Sequence, residues 1–133
     1  MEWIARAVGA FYIVGGLFAL RAARTNDLLD RALAGIEMKP TPRAERLRAA
    51  GLWVGGAMTA ASGVALLLLS RWAVWLFLAN LLLQALYLAV ASVWLRPETE
   101  LDALGRRRTV NAALFWTCAT IAVLIWSRNG LLR

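Results

Sequence analysis

The stretch Gly51–Leu69, GLWVGGAMTAASGVALLLL, decides the fold. It carries no charge, and 22 residues separate the flanking Arg48 from Arg71. About 18 such residues mark a spanning helix, because roughly 20 residues rising 1.5 Å each cross a ~30 Å hydrocarbon layer. Outward from this stretch the pattern repeats. Arg71 and Arg96 are separated by 24 uncharged residues, and Arg108 and Arg128 by 19. The first apolar segment, Trp3 to Leu20, carries only Arg6 near one end, from where a long side chain reaches the headgroups.

Composition agrees. Apolar types make up 61% of the 133 residues and charged types 17%, far from the balance of a soluble domain. A soluble bundle also needs a polar face on every helix. Leu76 to Val93 offers only Asn80, Gln84, Tyr87 and Ser92 for that purpose. Nor does the first segment read as a cleaved signal, since Glu2 precedes the run and Arg21 and Arg24 follow it.

The expected fold is therefore all-α: an integral membrane four-helix bundle of two antiparallel hairpins, forming a single domain over 1–133. The spans are expected at about 3–24, 48–69, 72–95 and 108–127, with connecting loops at 25–47 and 96–107. In the first connection Leu28, Leu29, Ala32, Leu33 and Ile36 share one stripe, which predicts a short cytoplasmic amphipathic helix, either lying on the membrane surface or continuing the first helix into the cytoplasm. Lys39-Pro40-Thr41-Pro42 ends it, with Thr41 and Pro42 suited to start the next helix. In the second connection, a short helical piece ending at Gly105 is expected.

Basic residues orient the chain. Arg21, Arg24, Arg31, Lys39, Arg43, Arg46 and Arg48 lie in the first connection, and Arg96, Arg106, Arg107 and Arg108 in the second. Only Arg6, Arg71, Arg128 and Arg133 lie on the other side. Lys and Arg near helix ends set topology, so the connections are expected in the cytoplasm and both termini in the periplasm of a bacterial inner membrane. Trp3, Trp72, Trp75 and Trp126 at one boundary, with Trp53 and Trp94 at the other, suit headgroup belts. The net charge of +7 is thereby read as topology signal and lipid contact, with no nucleic acid as partner. Arg106, Arg107 and Arg108 are candidates for an anionic headgroup.

Glycine explains cohesion where burying leucine in lipid cannot. Gly51, Gly55, Thr59 and Gly63 recur every four residues, and Gly15 and Ala19 repeat the spacing on the first helix, with Gly9 and Gly16 nearby. This face is expected to pack against the first helix or to receive another subunit, and leucine at Gly55 is expected to loosen it. A second polar set comprises Asn80, Gln84 and Tyr87 on the third helix with Asn111 and Thr120 on the fourth. It reads as an interhelical clamp or as a pocket for a headgroup.

The sequence excludes several chemistries. Histidine is absent, and all eight acids lie outside the apolar segments, so no metal centre, no cofactor and no carboxylate relay is expected. Small multidrug transporters carry an embedded glutamate in their first helix, and GAFYIVGG at 9–16 has none. One cysteine, Cys118, allows no internal disulfide and is expected to pack as a small apolar residue. The function class that remains is a non-catalytic accessory or structural subunit of a larger inner-membrane complex, with lipids and a protein partner or further copies around it. The alternative is an oligomeric carrier or binder of a small hydrophobic molecule such as a lipid, quinone or isoprenoid.

Overall fold

The computed structural model describes residues 1–38, 43–94 and 100–132, the side chain of Asp102 excepted. These residues form four helices: α1 Glu2–Glu37, α2 Arg43–Leu67, α3 Trp72–Trp94 and α4 Glu100–Arg128. All four contain stretches long and apolar enough to cross a membrane. Their order makes one end of the bundle the terminal end, with both chain termini and the α2–α3 turn. The other is the connection end.

The helices overrun the apolar segments at the connection end. The stripe of Leu28, Leu29, Leu33 and Ile36 belongs to α1, which runs unbroken for 36 residues, so of the two expected arrangements the segment takes the one that continues the first helix. Nothing between Arg21 and Glu37 breaks it. Thr25 donates to the Arg21 carbonyl at 3.1 Å, and Asp27 pairs with Arg31 one turn on at 2.9 Å, a spacing that supports a helix. Similarly, Gly105 does not end a helical piece. It lies inside α4, where Thr109 Oγ1 donates to its carbonyl at 3.0 Å. A glycine inside a helix costs about 1 kcal/mol, too little to stop one with 29 residues. The expected start at Thr41-Pro42 lies outside the described residues.

The α2–α3 turn is tight. Leu69 adopts a left-handed φ of 53°, the Ser70 amide donates to the Ala65 carbonyl and the Leu69 amide to that of Leu66, both at 3.0 Å. This closes α2 as a Schellman cap. Ser70 then starts α3, its Oγ accepting from the Trp72 amide at 3.3 Å. One residue thus joins the end of one helix to the start of the next. Gly130, at φ 72°, closes α4 by the same pattern, with the Leu131 amide donating to the Trp126 carbonyl at 3.0 Å.

The most extensive helix contact is α1 against α2, followed by α2–α3 and α3–α4. The first is a backbone contact. A Cβ on Gly16 would stand 2.5 Å from the Ala60 amide nitrogen, and one on Gly9 would stand 2.8 Å from the Gly63 carbonyl oxygen. Gly56 meets Ala19 and Leu20 at 3.2 Å. Gly9 and Gly16, like Gly56 and Gly63, are seven residues apart, about 20° short of two full turns, so each pair keeps one face. A four-residue step overshoots a turn by about 40°, and Gly51 to Gly63 therefore drifts by about 120°. That drift carries Gly51 round to α3, where it lies under the Tyr87 ring, and leaves Gly55 and Gly15 with no neighbour within 4 Å of a Cβ. The expected face is corrected accordingly: Gly63 and Ala19 are on it, Gly15 and Gly55 are not.

Burial is lopsided. Ala5, Leu66, Ala73, Val123 and Leu132 are all buried near the terminal end, while Ala23 of α1 is buried toward the connection end. Across the middle, Tyr12, Phe77 and Trp116 meet with ring centroids 4.5–5.3 Å apart, joining α1, α3 and α4. Beyond that layer α3 has no buried residue after Asn80 and α4 none before Trp116, among the described residues. The bundle is closed at one end by its short turn and open at the other. Cys118 is exposed, not packed inside.

Candidate functional site

Where the helices part, a cleft of about 450 Å³ opens at the connection end, with walls from all four. Its depth can be read from the helix registers. Gly16 lies against Ala60, Gly51 against Tyr87, and Trp116 against Phe77. Counting along the antiparallel helices from these pairs puts Asp30 of α1 level with Glu45 of α2 at the mouth. Arg106 of α4 falls level with Tyr87 of α3, about five residues or ~7 Å nearer the middle of the bundle. The floor is apolar: Leu52 and Leu88 lie at the depth of Tyr87.

Local sequence explains the shape. Gly51 lets the Tyr87 ring lie against the α2 backbone, since a Cβ there would stand 2.8 Å from the ring. Ala49, Ala91 and Gly105 line the cleft with small side chains or none, so the helices part without the gap being filled. Charges of both signs face this space: Asp30 and Glu45, Arg48 and Arg106. Asp30, Glu45 and Arg106 make no ion pair with any described residue.

The residues singled out by sequence divide in three. Tyr87 and Arg106 line the cleft. Arg106 also borders a shallow depression with Arg107 and Asn111, and Arg108 stands exposed outside both. Asn80 and Thr120 lie in the closed half. The fully buried Asn80 donates from Nδ2 to Thr59 Oγ1 at 3.4 Å, while Thr59 donates to the Gly55 carbonyl at 2.7 Å. The amide clamp therefore ties α3 to α2, not to α4 as expected. Thr120 bonds within its own helix, to the Trp116 carbonyl at 2.9 Å, and Gln84 is half-buried outside these bonds. The polar link that does join α4 to α3 is one that sequence reasoning did not name: Trp116 Nε1 donates to the Phe77 carbonyl at 3.3 Å.

Sequence reasoning also passed over Asn26, Asp30, Glu45 and Leu101, which line the cleft. Asn26 and Asp30 fall in the segment expected to be an amphipathic helix, whose apolar stripe was the face singled out, and Glu45 and Leu101 lie in charged stretches outside the apolar segments. One signal was available: Asn26 and Asp30 are a turn apart on one side of α1. Two further polar atoms, Tyr12 Oη and Asn80 Oδ1, are buried without a partner in the closed half. Comparison with known protein families, curated proteins and solved structures finds no match to the chain.

Proposed function

We propose that this chain is a non-catalytic integral membrane protein that holds a small amphipathic molecule in the connection-end cleft, at the cytoplasmic face of a bacterial inner membrane. The observation that carries this reading is the lopsided packing. Glycines and aromatics weld the terminal half, while small residues keep the other half open beneath a rim of charge. An apolar floor that reaches the level of the spans, with a polar mouth beyond it, suits a molecule with a tail and a head. The sidedness rests on Arg and Lys, eleven of the 15 belonging to the connection end.

Extraction in mild detergent followed by mass spectrometry of retained small molecules tests this. Wild type is expected to retain an amphiphile, and Ala91→Trp, which fills the cleft, is expected to lose at least about nine-tenths of it with thermal stability unchanged. Equal retention by the variant, or none by wild type, overturns the reading.

A second reading, an accessory subunit of a larger inner-membrane complex, is favoured by one feature. Leu28, Leu29, Leu33 and Ile36 are at least half exposed on the part of α1 that runs past its apolar segment. An apolar stripe beyond the hydrocarbon layer suits a protein partner. Under that reading the same extraction yields a second polypeptide at fixed stoichiometry, lost with Leu33→Asp.

A further inference from the structure

We infer that the group recognised in the cleft is a zwitterion pairing a primary ammonium with a phosphate ester, the phosphoethanolamine arrangement. The inference rests on the reading of the cleft as a binding site. It starts from charges that leave each other alone. Asp30 and Glu45 come from α1 and α2, Arg106 from α4, and no ion pair joins them although one cleft gathers all three. Unpaired charges of both signs around one cavity ask for a ligand that carries both, since a ligand of one sign meets one wall and is repelled by the other.

Depth orders the two ends. From the hydrocarbon outward, such a lipid presents tail, phosphate and then ammonium. The cleft presents Arg106, level with Tyr87 and the apolar side chains of Leu52 and Leu88, and then Asp30 and Glu45 at the mouth. The offset of about five residues, ~7 Å, between the arginine and the carboxylates is of a size that these side chains span toward a short dipole. Arginine is the cation that meets phosphate oxygens two at a time, and the Tyr87 phenol is a donor at the same depth. The carboxylates also choose among cations. A primary ammonium offers three N–H donors to carboxylate oxygens, whereas a quaternary ammonium offers none and is recognised by aromatic cages. Among the described residues Tyr87 is the one aromatic side chain lining the cleft, so a choline head lacks its cage.

The purified protein in detergent, titrated with phosphatidylethanolamine, phosphatidylcholine and phosphatidylglycerol of matched chains and read by thermal unfolding, tests this. Phosphatidylethanolamine is expected to bind about tenfold more tightly than either of the others. The double variant Asp30→Asn, Glu45→Gln is expected to erase that preference, and Arg106→Gln to weaken all three lipids by about tenfold. Both changes sit on exposed or half-exposed surface, so folding is preserved, and the unliganded melting temperature verifies it. Phosphatidylcholine binding as tightly as phosphatidylethanolamine, or a preference that survives the double variant, overturns the inference. If Ala91→Trp still blocks lipid in that case, the cleft remains a binding site and only the headgroup assignment falls. Free O-phosphoethanolamine is the companion probe. Saturation by it alone assigns the recognition to a soluble zwitterion, and saturation only by the lipid assigns it to the membrane; either supports the chemistry proposed.

Discussion

Replacing Gly63 with leucine is expected to separate α1 from α2 and to remove much of the stability of that contact. A Cβ at this position would lie 2.7 Å from the Gly9 carbonyl oxygen and 2.7 Å from the Ile13 amide nitrogen. Both are backbone atoms of a helix and cannot swing aside, so the helices themselves must move apart. In lipid that is a direct loss, because dispersion between close backbones, and not expulsion of water, holds the pair together. Overpacking a well-packed site costs about 1–3 kcal/mol, and a clash with two backbone atoms of the facing helix belongs at the top of that range. Gly55→Leu is the control. Nothing lies within 4 Å of its Cβ, and its cost should stay below about 0.5 kcal/mol. Reversible unfolding in detergent compares the two. A Gly55 variant as damaged as the Gly63 variant would return the contact to the four-residue stripe.

The second large effect is expected from Trp116→Ala. Trp116 is 4% exposed, stacks on Phe77 at a centroid distance of 4.9 Å, meets Tyr12 edge-on at 4.5 Å and donates to the Phe77 carbonyl. It is the main tie of α4 to the rest, because α4 lacks the glycine face that joins α1 to α2. Truncating a core tryptophan in a soluble protein costs about 3–5 kcal/mol, a sum of transfer and cavity terms. In lipid the transfer term is nearly absent, which leaves about 2–3 kcal/mol. Trp116→Phe keeps one ring for stacking and loses the N–H together with the fused five-membered ring, for a cost of about 1–2 kcal/mol. Proteolysis or unfolding that leaves α1–α3 intact while α4 detaches is the expected signature. Equal loss from both variants would shift the weight from ring packing to the hydrogen bond.

These two sites show what could be read from the sequence and what could not. Charge-free length located three of the four helices, because the thickness of a bilayer sets a threshold that Arg48–Arg71 and its two counterparts clear without reference to any partner, and the first helix needed only Arg6 to be placed near one end. Which glycines touch was harder. A four-residue stripe and a seven-residue pair look alike over one turn, and they diverge only when about 40° per step is accumulated toward a particular neighbour. The clamp at Asn80 was visible as a buried amide, yet the helix that receives it depends on the order of packing, which spacing does not encode. The cleft was hidden for another reason. Asp30 and Glu45 stand in charged stretches outside the apolar segments, and only the unbroken continuation of α1 and α2 brings those stretches together as walls.

Side-specific labelling of single cysteines, in a Cys118→Ser background, tests the whole arrangement. Glu45→Cys and Leu101→Cys at the cleft mouth are expected to react with a membrane-impermeant maleimide only in inverted vesicles. Trp3→Cys and Asn129→Cys at the terminal end should react only in intact cells. Labelling of all four positions from the same side contradicts a chain that crosses the bilayer four times with its cleft opening inward.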